Sequence, residues 1–92
     1  DLDNDGNLDL VISSLYTPAL ILKNNCSNKN YINLSFKTKT KNTSAIGTKA
    51  YVYNDGKIQY QQLMPTRGFQ SSVAPQLHFG LAAKNTIDSI VI

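Results

Sequence analysis

The residues with the clearest chemistry are the aspartates of the opening segment, DLDNDGNLDL. Four of the six acidic residues in this 92-residue chain lie within its first nine positions: Asp1, Asp3, Asp5 and Asp9. Two carboxylates about 4 Å apart repel by roughly 4 kcal/mol at an effective dielectric constant near 20, so a compact loop of this kind requires a cation. Oxygen ligands without a neighbouring histidine favour a hard ion, and Gly6 permits the sharp turn that encloses it. We therefore predict a calcium loop.

The spacing of the aspartates separates this loop from an EF-hand. The EF-hand shares acidic positions one, three and five and a glycine at six, but it requires glutamate at position twelve, where this chain has Ile12. Five residues are predicted to bind the ion, four through side chains and Asn7 through its backbone carbonyl: Asp1, Asp3, Asp5, Asn7 and Asp9. Water would complete a shell of about six to eight oxygens. The alternative is an Asx-rich acidic turn that holds no ion.

The elements that position this loop are predicted to be β-strands. Apolar residues alternate along the sequence after Asp9, which favours a strand over 8–13 rather than the exiting helix of an EF-hand. Further strands are expected between turn signals, at 19–23, 31–37, 50–53, 57–60, 68–73, 77–79 and 86–92. Capped helical segments are absent, and short connections favour antiparallel pairing. The predicted fold class is all-β, an antiparallel β-sandwich preceded by a β-hairpin.

A polar segment over 24–30 contains four asparagines and indicates a boundary between two regions. The first region is residues 1–25, with the calcium loop, and the second is residues 31–92, the sandwich. The core of the second region is predicted from its alternating apolar residues: Ile32, Leu34, Phe36, Val52, Tyr60, Phe79, Leu81 and Ile90.

The strands around Asn54–Gly56 form a predicted hairpin with two candidate registers. A two-residue turn at Asp55 and Gly56 places Tyr51, Tyr53, Ile58 and Tyr60 on one face, whereas a three-residue turn with a bulge points Tyr51 and Tyr53 outward. Outward tyrosines could bind a ligand by stacking on sugars. We expect instead that the tyrosines cover the core or a domain interface.

Charge is distributed unevenly along the chain. The net charge is +3, but residues 10–92 carry all nine basic residues against only two aspartates. Lys37, Lys39 and Lys41 alternate with threonines, which predicts a lysine-lined edge strand that discourages pairing with other chains. Such a basic surface can attract acidic polysaccharide or nucleic acid, but no aromatic residue lies among these lysines, so nucleic-acid binding is not predicted. No run of about 18 apolar residues exists, and no membrane span is predicted.

The opening segment DLDNDGNLDLVIS resembles the calcium loop and following strand of an FG-GAP or VCBS-type repeat, the blade unit of integrin-like β-propellers. The later LILKNN is similar to the strand that follows in such blades. The resemblance implies that residues 1–25 are the remnant of a propeller blade. Upstream blades of the same protein are then expected partners, because one blade cannot close a propeller.

The second region resembles the ASPIC/UnbV domain, which follows such repeats in secreted proteins of the cartilage acidic protein group. The segments that carry this resemblance are IGTKAYVYNDGKIQYQQLMPTRGFQSS, LHFGL and TIDSIVI. Ala82 stands where a second glycine often follows, and a Trp-Pro segment expected after Ile92 is absent. The resemblance therefore implies a C-terminally truncated domain.

A catalytic set is not predicted. The chain has one histidine and no glutamate, and its serines lack a GxSxG context. We expect a non-catalytic, calcium-binding extracellular module for adhesion or for recognition of a glycan or a protein, secreted or on a bacterial cell surface or in the periplasm. The alternative is a structural domain that caps a β-propeller without binding a ligand itself.

Overall fold

The computed structural model describes residues 1–27 and 29–92 of the chain. Its regular elements in this part of the chain are seven strands: β1 (Leu10–Ile12), β2 (Leu20–Leu22), β3 (Asn30–Ser35), β4 (Lys49–Asn54), β5 (Lys57–Gln62), β6 (Gln76–Ala82) and β7 (Ser89–Val91). Every strand pair is antiparallel. The predicted all-β, antiparallel fold class is confirmed. Among the described residues, no helix has the length and apolar character needed to cross a membrane.

The strands form three sheets. β1 pairs only with β2, β3 pairs with β6, and β4 lies between β5 and β7. β3 and β6 are paired along six positions, from Asn30 opposite Ala82 to Ser35 opposite Gln76. Strands that are distant in sequence therefore meet in both larger sheets.

One hydrophobic core joins the two larger sheets. Its buried residues come from β4, from β6 and from the segment after β5: Ala50, Val52, Leu63, Leu77, Phe79 and Leu81. Partly buried residues pack against them: Ile32, Leu34, Phe36, Ile87 and Ile90. Two sheets that bury their inner faces against each other form the layers of a β-sandwich. Seven of the eight predicted core residues belong to this cluster, and Tyr60 does not.

The hairpin of β4 and β5 explains why Tyr60 is outside the core. Asn54 lies opposite Lys57, and both turn residues have positive φ, 52° at Asp55 and 72° at Gly56. This is the two-residue turn of the first predicted register. The tyrosine face is nevertheless the outer one, since Val52 on the opposite face is fully buried and Tyr60 is 49% exposed. The tyrosines therefore do not cover the core, and the other half of that expectation, a domain interface at this face, stays a prediction.

The lysine-lined edge strand is also wrong. β3 ends at Ser35, and Lys37, Lys39 and Lys41 lie in the loop that follows. Thr38 closes this loop, because its N–H donates to the Thr43 carbonyl (3.1 Å) and its hydroxyl donates to the Asn42 carbonyl (2.7 Å). Hydrogen bonds within the loop replace the strand ladder that the alternating sequence suggested.

The strand predicted over 68–73 is replaced by a turn. Gly68 has φ of 92° and Gln70 has φ of 51°, so the backbone twists out of the extended conformation at both positions. The Arg67 N–H donates to the Ser71 carbonyl at 3.0 Å across this turn. Only an isolated bridge between Thr66 and Ser72 remains of the expected strand.

β5 and β6 are connected by side chains. Gln59 and Gln61 lie opposite Val52 and Ala50 and share their inner face. The Gln59 amide donates to the Gly80 carbonyl (2.8 Å), and the Gln61 amide donates to the His78 carbonyl (2.5 Å). These bonds link the two sheets where a backbone ladder is absent.

Candidate functional site

The opening loop is wound around its own aspartates. Asp1 accepts a hydrogen bond from the Gly6 N–H (3.1 Å), and Asp5 accepts one from the Asn7 N–H (2.8 Å). A longer bond of 3.4 Å joins the Asp5 N–H to Asp3. Such short-range carboxylate-to-backbone bonds are typical of Asx turns. They explain why aspartate at alternating positions folds into a loop here.

Asp9 connects this loop to the segment after β2. One of its oxygens accepts from the Leu2 N–H (2.6 Å) and the other from the Asn24 N–H (2.9 Å). Only 3% of its side chain is exposed. These two backbone bonds lower the pKa of the Asp9 carboxyl from its ordinary value of 3.8. Asp9 is therefore a carboxylate, ionised at neutral pH, that connects the start of the acidic loop to the segment after β2.

Three of the predicted ligands converge. Carboxylate oxygens of Asp1, Asp3 and Asp9 lie within 4.8 Å of one another. Two oxygens bound to the same Ca²⁺ at about 2.3–2.6 Å can be at most about 5 Å apart, so this spacing allows a shared ion. The donors are all oxygens, the type that calcium prefers. The residues present therefore fit a calcium ion, which these three aspartates would hold through their carboxylates.

The remaining predicted ligands have other contacts. Asp5 is outside the group of three, and its carboxylate receives the Asn7 N–H. The Asn7 side chain donates to the Cys26 carbonyl at 3.1 Å, which ties the loop to the segment that leads into β3. Calcium ligation by Asp5 and by the Asn7 carbonyl stays a prediction.

Two positive groups lie beside the aspartates. The Lys23 ammonium is 2.5 Å from an Asp3 oxygen, and the N-terminal ammonium is 3.8 Å from Asp9. The bond to Lys23 lowers the pKa of Asp3, and the bond to Asp3 raises the pKa of Lys23. Lys23 was not predicted as a site residue from the sequence. Its position in the hairpin could have identified it. Lys23 directly follows Leu22, which pairs with Leu10, so the hairpin brings Lys23 back to the acidic loop.

The loop lies against the sandwich through Gly6. This residue is buried, and a Cβ atom added to it would be 1.7 Å from Cε1 of Tyr31 on β3. The Tyr31 ring stacks on the His78 ring, with centroids 5.1 Å apart. Nδ1 of His78 is 2.7 Å from Oδ1 of Asn33. The histidine thus has a structural environment made by its two neighbours on β3. The contact of Tyr31 with the loop was not predicted from the sequence.

A second candidate surface is the outer face of β4 and β5. Tyr51 lies directly opposite Tyr60, and their ring centroids are 4.9 Å apart. Tyr51 is 36% exposed, whereas Tyr53 is half-buried. Exposed paired aromatic rings can stack on the apolar face of a sugar. Of the two tyrosines predicted to bind a ligand, Tyr51 is the better placed, and Tyr60 was not predicted.

A comparison with protein families gives one match. The family model described as ASPIC and UnbV matches residues 38–92, the part of the chain that contains β4 to β7. No curated protein and no solved structure matches the chain. β3 precedes the matched range, but its pairing with β6 places it in the same sandwich.

Proposed function

The chain belongs to the ASPIC and UnbV family, and we propose that it is a non-catalytic, calcium-binding extracellular module that recognises a glycan or another extracellular protein. The observation that carries this proposal is the convergence of the Asp1, Asp3 and Asp9 carboxylates in one loop. Calcium, when bound there, would supply the positive charge that holds three acidic groups together.

The extracellular part of the proposal follows from the affinity that is usual for calcium loops of this kind. Loops of extracellular modules bind calcium with dissociation constants of about 10⁻⁴–10⁻³ M, and such loops are filled only where calcium is millimolar. We place the protein outside the cell, either secreted or on a bacterial cell surface or in the periplasm. The resemblance of the opening segment to FG-GAP and VCBS-type repeats points to the same compartments.

The loop also gives calcium a structural role in this module. Gly6 packs on Tyr31, and Tyr31 stacks on His78, so the position of the loop affects the outer surface of β3 and β6. An ion that fixes the aspartates fixes Gly6 between them. Calcium would then hold the β1–β2 hairpin and the sandwich in one arrangement.

Calorimetric titration of calcium into the chain tests the proposal. We expect a dissociation constant between about 0.1 and 1 mM and loss of binding in Asp9→Asn. Asp55→Asn is the matched control, because Asp55 lies in the β4–β5 turn and pairs with Lys84 rather than with the loop. The titration is repeated with an acetylated N-terminus, since the N-terminal ammonium beside Asp9 competes with the ion. Absence of binding up to about 10 mM in both forms would reject the calcium site.

The tyrosine face is the surface we propose for recognition. Tyr51 and Tyr60 expose paired rings on the side of the sheet opposite the core. Binding of the chain to a glycan array, with loss of the signal in Tyr51→Ala and Tyr60→Ala, would support sugar recognition. Tyr16→Ala is the control, because Tyr16 is the most exposed tyrosine and lies in the β1–β2 connection. Equal loss in all three variants would contradict a specific site.

One observation favours the alternative function of a structural cap. Every residue of β1 and β2 is exposed, although all six are Leu, Ile or Val. A two-stranded hairpin is marginally stable by itself and needs further strands or a packed face. Upstream propeller blades would cover this hairpin. If a longer chain with preceding repeats buries these residues and neither form binds any glycan, the cap is the better description.

A further inference from the structure

A cleft in the described residues lies at the end of β3, away from both surfaces discussed above. It has a volume of about 390 Å³, within the range of about 300–1,000 Å³ that is usual for small-molecule sites. Its walls come from the end of β3, the loop closed by Thr38 and the segment that leads into β6. The polar residues among them are Ser35, Lys37, Thr38, Thr43, Ser44 and Gln76.

The polar groups of this cleft are free to bind a ligand. Thr38 is committed to its own loop, but no hydrogen bond within the described residues engages the hydroxyls of Ser35, Thr43 or Ser44. Lys37 forms no ion pair with any carboxylate in the same part of the chain. Phe36 and Pro75 provide the apolar part of the wall. Hydroxyls, one ammonium and an apolar surface together match an acidic sugar better than a neutral apolar compound.

The loop that carries Lys37 is held in a fixed shape. Thr38 closes it at Asn42 and Thr43. The Asn42 side chain exchanges two hydrogen bonds with the Ile46 backbone, at 2.9 and 3.0 Å. Lys39 and Lys41 lie in this loop, and residues 10–54 contain no acidic residue. The positive charge at the cleft therefore has no acidic neighbour in sequence and is presented on an ordered segment, which lowers the entropy cost of binding.

A second cavity adjoins the cleft. Its volume is about 340 Å³, and it shares Ala74 and Gln76 with the first. Arg67 lines the second cavity, where its guanidinium donates to the carbonyls of Met64 and Thr66. Gln76 thus separates two cavities that each contain one basic side chain. Two adjoining cavities with one cation each suit a linear molecule with repeated negative charges.

We propose that this groove, from Lys37 past Gln76 to Arg67, binds an acidic oligosaccharide that carries carboxylate or sulfate groups. The ammonium and the guanidinium pair with successive anionic groups, and the hydroxyls and the Gln76 amide bind the sugar hydroxyls. Nucleic acid fits less well, because the two aromatic rings that line the groove are already engaged: Phe36 packs against the core and His78 stacks on Tyr31. The groove contains neither Tyr51 nor Tyr60, so this proposal is independent of sugar stacking on the tyrosine face.

The test measures binding of two acidic probes, a heparin hexasaccharide and a hexagalacturonate, to the full 92-residue chain by calorimetry at fixed ionic strength. At least one acidic probe should bind, and a neutral hexasaccharide such as cellohexaose should not. Lys37→Gln should weaken binding by about tenfold, as for loss of a charge-assisted hydrogen bond. Lys57→Gln is the matched control, with the same change of charge on β5 outside the groove, and should weaken binding by less than about twofold.

Several results would overturn the proposal. If Lys37→Gln and Lys57→Gln lose the same amount of affinity for the acidic probes, the binding is a general attraction to a basic protein. Tighter binding of polyglutamate or of single-stranded DNA than of either acidic sugar would assign the groove to a peptide or to nucleic acid. A calcium titration of Lys37→Gln keeps this test separate from the calcium proposal, since Lys37 lies outside the acidic loop and its replacement should leave the calcium affinity unchanged.

Discussion

Gly6 and Tyr31 are in such close contact that a single added methyl group at Gly6 would overlap the tyrosine ring, with 1.7 Å between its Cβ and Cε1 of Tyr31. This contact joins the acidic loop to the sandwich. It also explains the glycine in the loop by a tertiary contact, in addition to its positive φ of 88°.

Gly6→Ala should therefore separate the loop from the sandwich and weaken calcium binding. Gly68→Ala is a matched control, because Gly68 has a similar φ of 92° but no atom within 4 Å of its Cβ position. Both variants carry the cost of about 1–2 kcal/mol for left-handed backbone, but only Gly6→Ala carries the overlap. The measurement is the calcium affinity together with the NMR shifts of Tyr31 and His78. Unchanged shifts in Gly6→Ala would contradict the contact.

Lys23→Gln should tighten calcium binding. The Lys23 ammonium contacts Asp3 and so competes with the ion for a carboxylate. Two unit charges about 4 Å apart repel by about 1 kcal/mol in water, so removing the ammonium should relieve about 2 kcal/mol for the doubly charged ion and raise the affinity by about thirtyfold. Lys84→Gln, whose ammonium pairs with Asp55, is the control and should leave the affinity unchanged in the same titration. A weaker affinity in Lys23→Gln would mean that the lysine supports the site.

The stability of the acidic loop should depend on pH through the ionisation of Asp9. Its pKa is lowered in the folded loop by the N–H groups of Leu2 and Asn24, so ionised Asp9 stabilises the loop above its unfolded pKa near 3.8. This stabilisation should be lost as the pH falls through the lower folded value. An NMR titration of the Asp9 carboxyl should give a midpoint below 3.8 and a parallel shift of the Asn24 amide. Asp9→Asn should abolish the parallel shift, and a midpoint above 3.8 would contradict the two hydrogen bonds.

Phe79→Ala should be strongly destabilising. Phe79 is 0% exposed at the centre of the core, and truncation of a buried phenylalanine costs about 3–5 kcal/mol. Phe69→Ala should cost less than about 0.5 kcal/mol, because Phe69 is 89% exposed. Phe36→Ala should fall between them, since Phe36 is only partly buried. Denaturant unfolding measures all three, and a cost below about 1 kcal/mol for Phe79 would contradict the core assignment.

Gln61→Ala should destabilise the sandwich by about 1–3 kcal/mol, because it leaves the His78 carbonyl without its donor at a partly buried position. Gln62→Ala is a neighbouring control, since Gln62 is exposed and makes only a longer bond of 3.3 Å to Gly47. Equal effects of the two changes in denaturant unfolding would show that the link between the sheets adds little.

The sequence predicts this fold best where a single local pattern determines the structure. Alternation identified Val52 and Phe79 as core residues, and the Asp55–Gly56 turn fixed one candidate register. It failed where a local hydrogen bond competes with alternation, as at Thr38, where loop closure removed the expected strand. It also failed for Tyr60, because a pattern of period two identifies two faces but does not say which of them is covered.

The acidic site shows the same limit. The spacing of the aspartates predicted a loop that gathers carboxylates, and three of them meet. The contact of Gly6 with Tyr31 joins residues 25 positions apart, and the pairing of Lys23 with Asp3 depends on how the chain returns through β2. Contacts between residues so far apart in sequence depend on the tertiary structure, which cannot be read from a motif within the first ten residues.

We expect the glutamine bonds between β5 and β6 to hinder aggregation as well. β3 pairs with one edge of β6, and the opposite edge is a row of backbone groups that could accept a strand from another chain. Gln59 and Gln61 occupy two carbonyls of that edge, at Gly80 and His78. The inner face of β5 thus blocks strand addition to β6 without adding a strand of its own. Selection on these two positions would act on the solubility of the folded chain as well as on its stability.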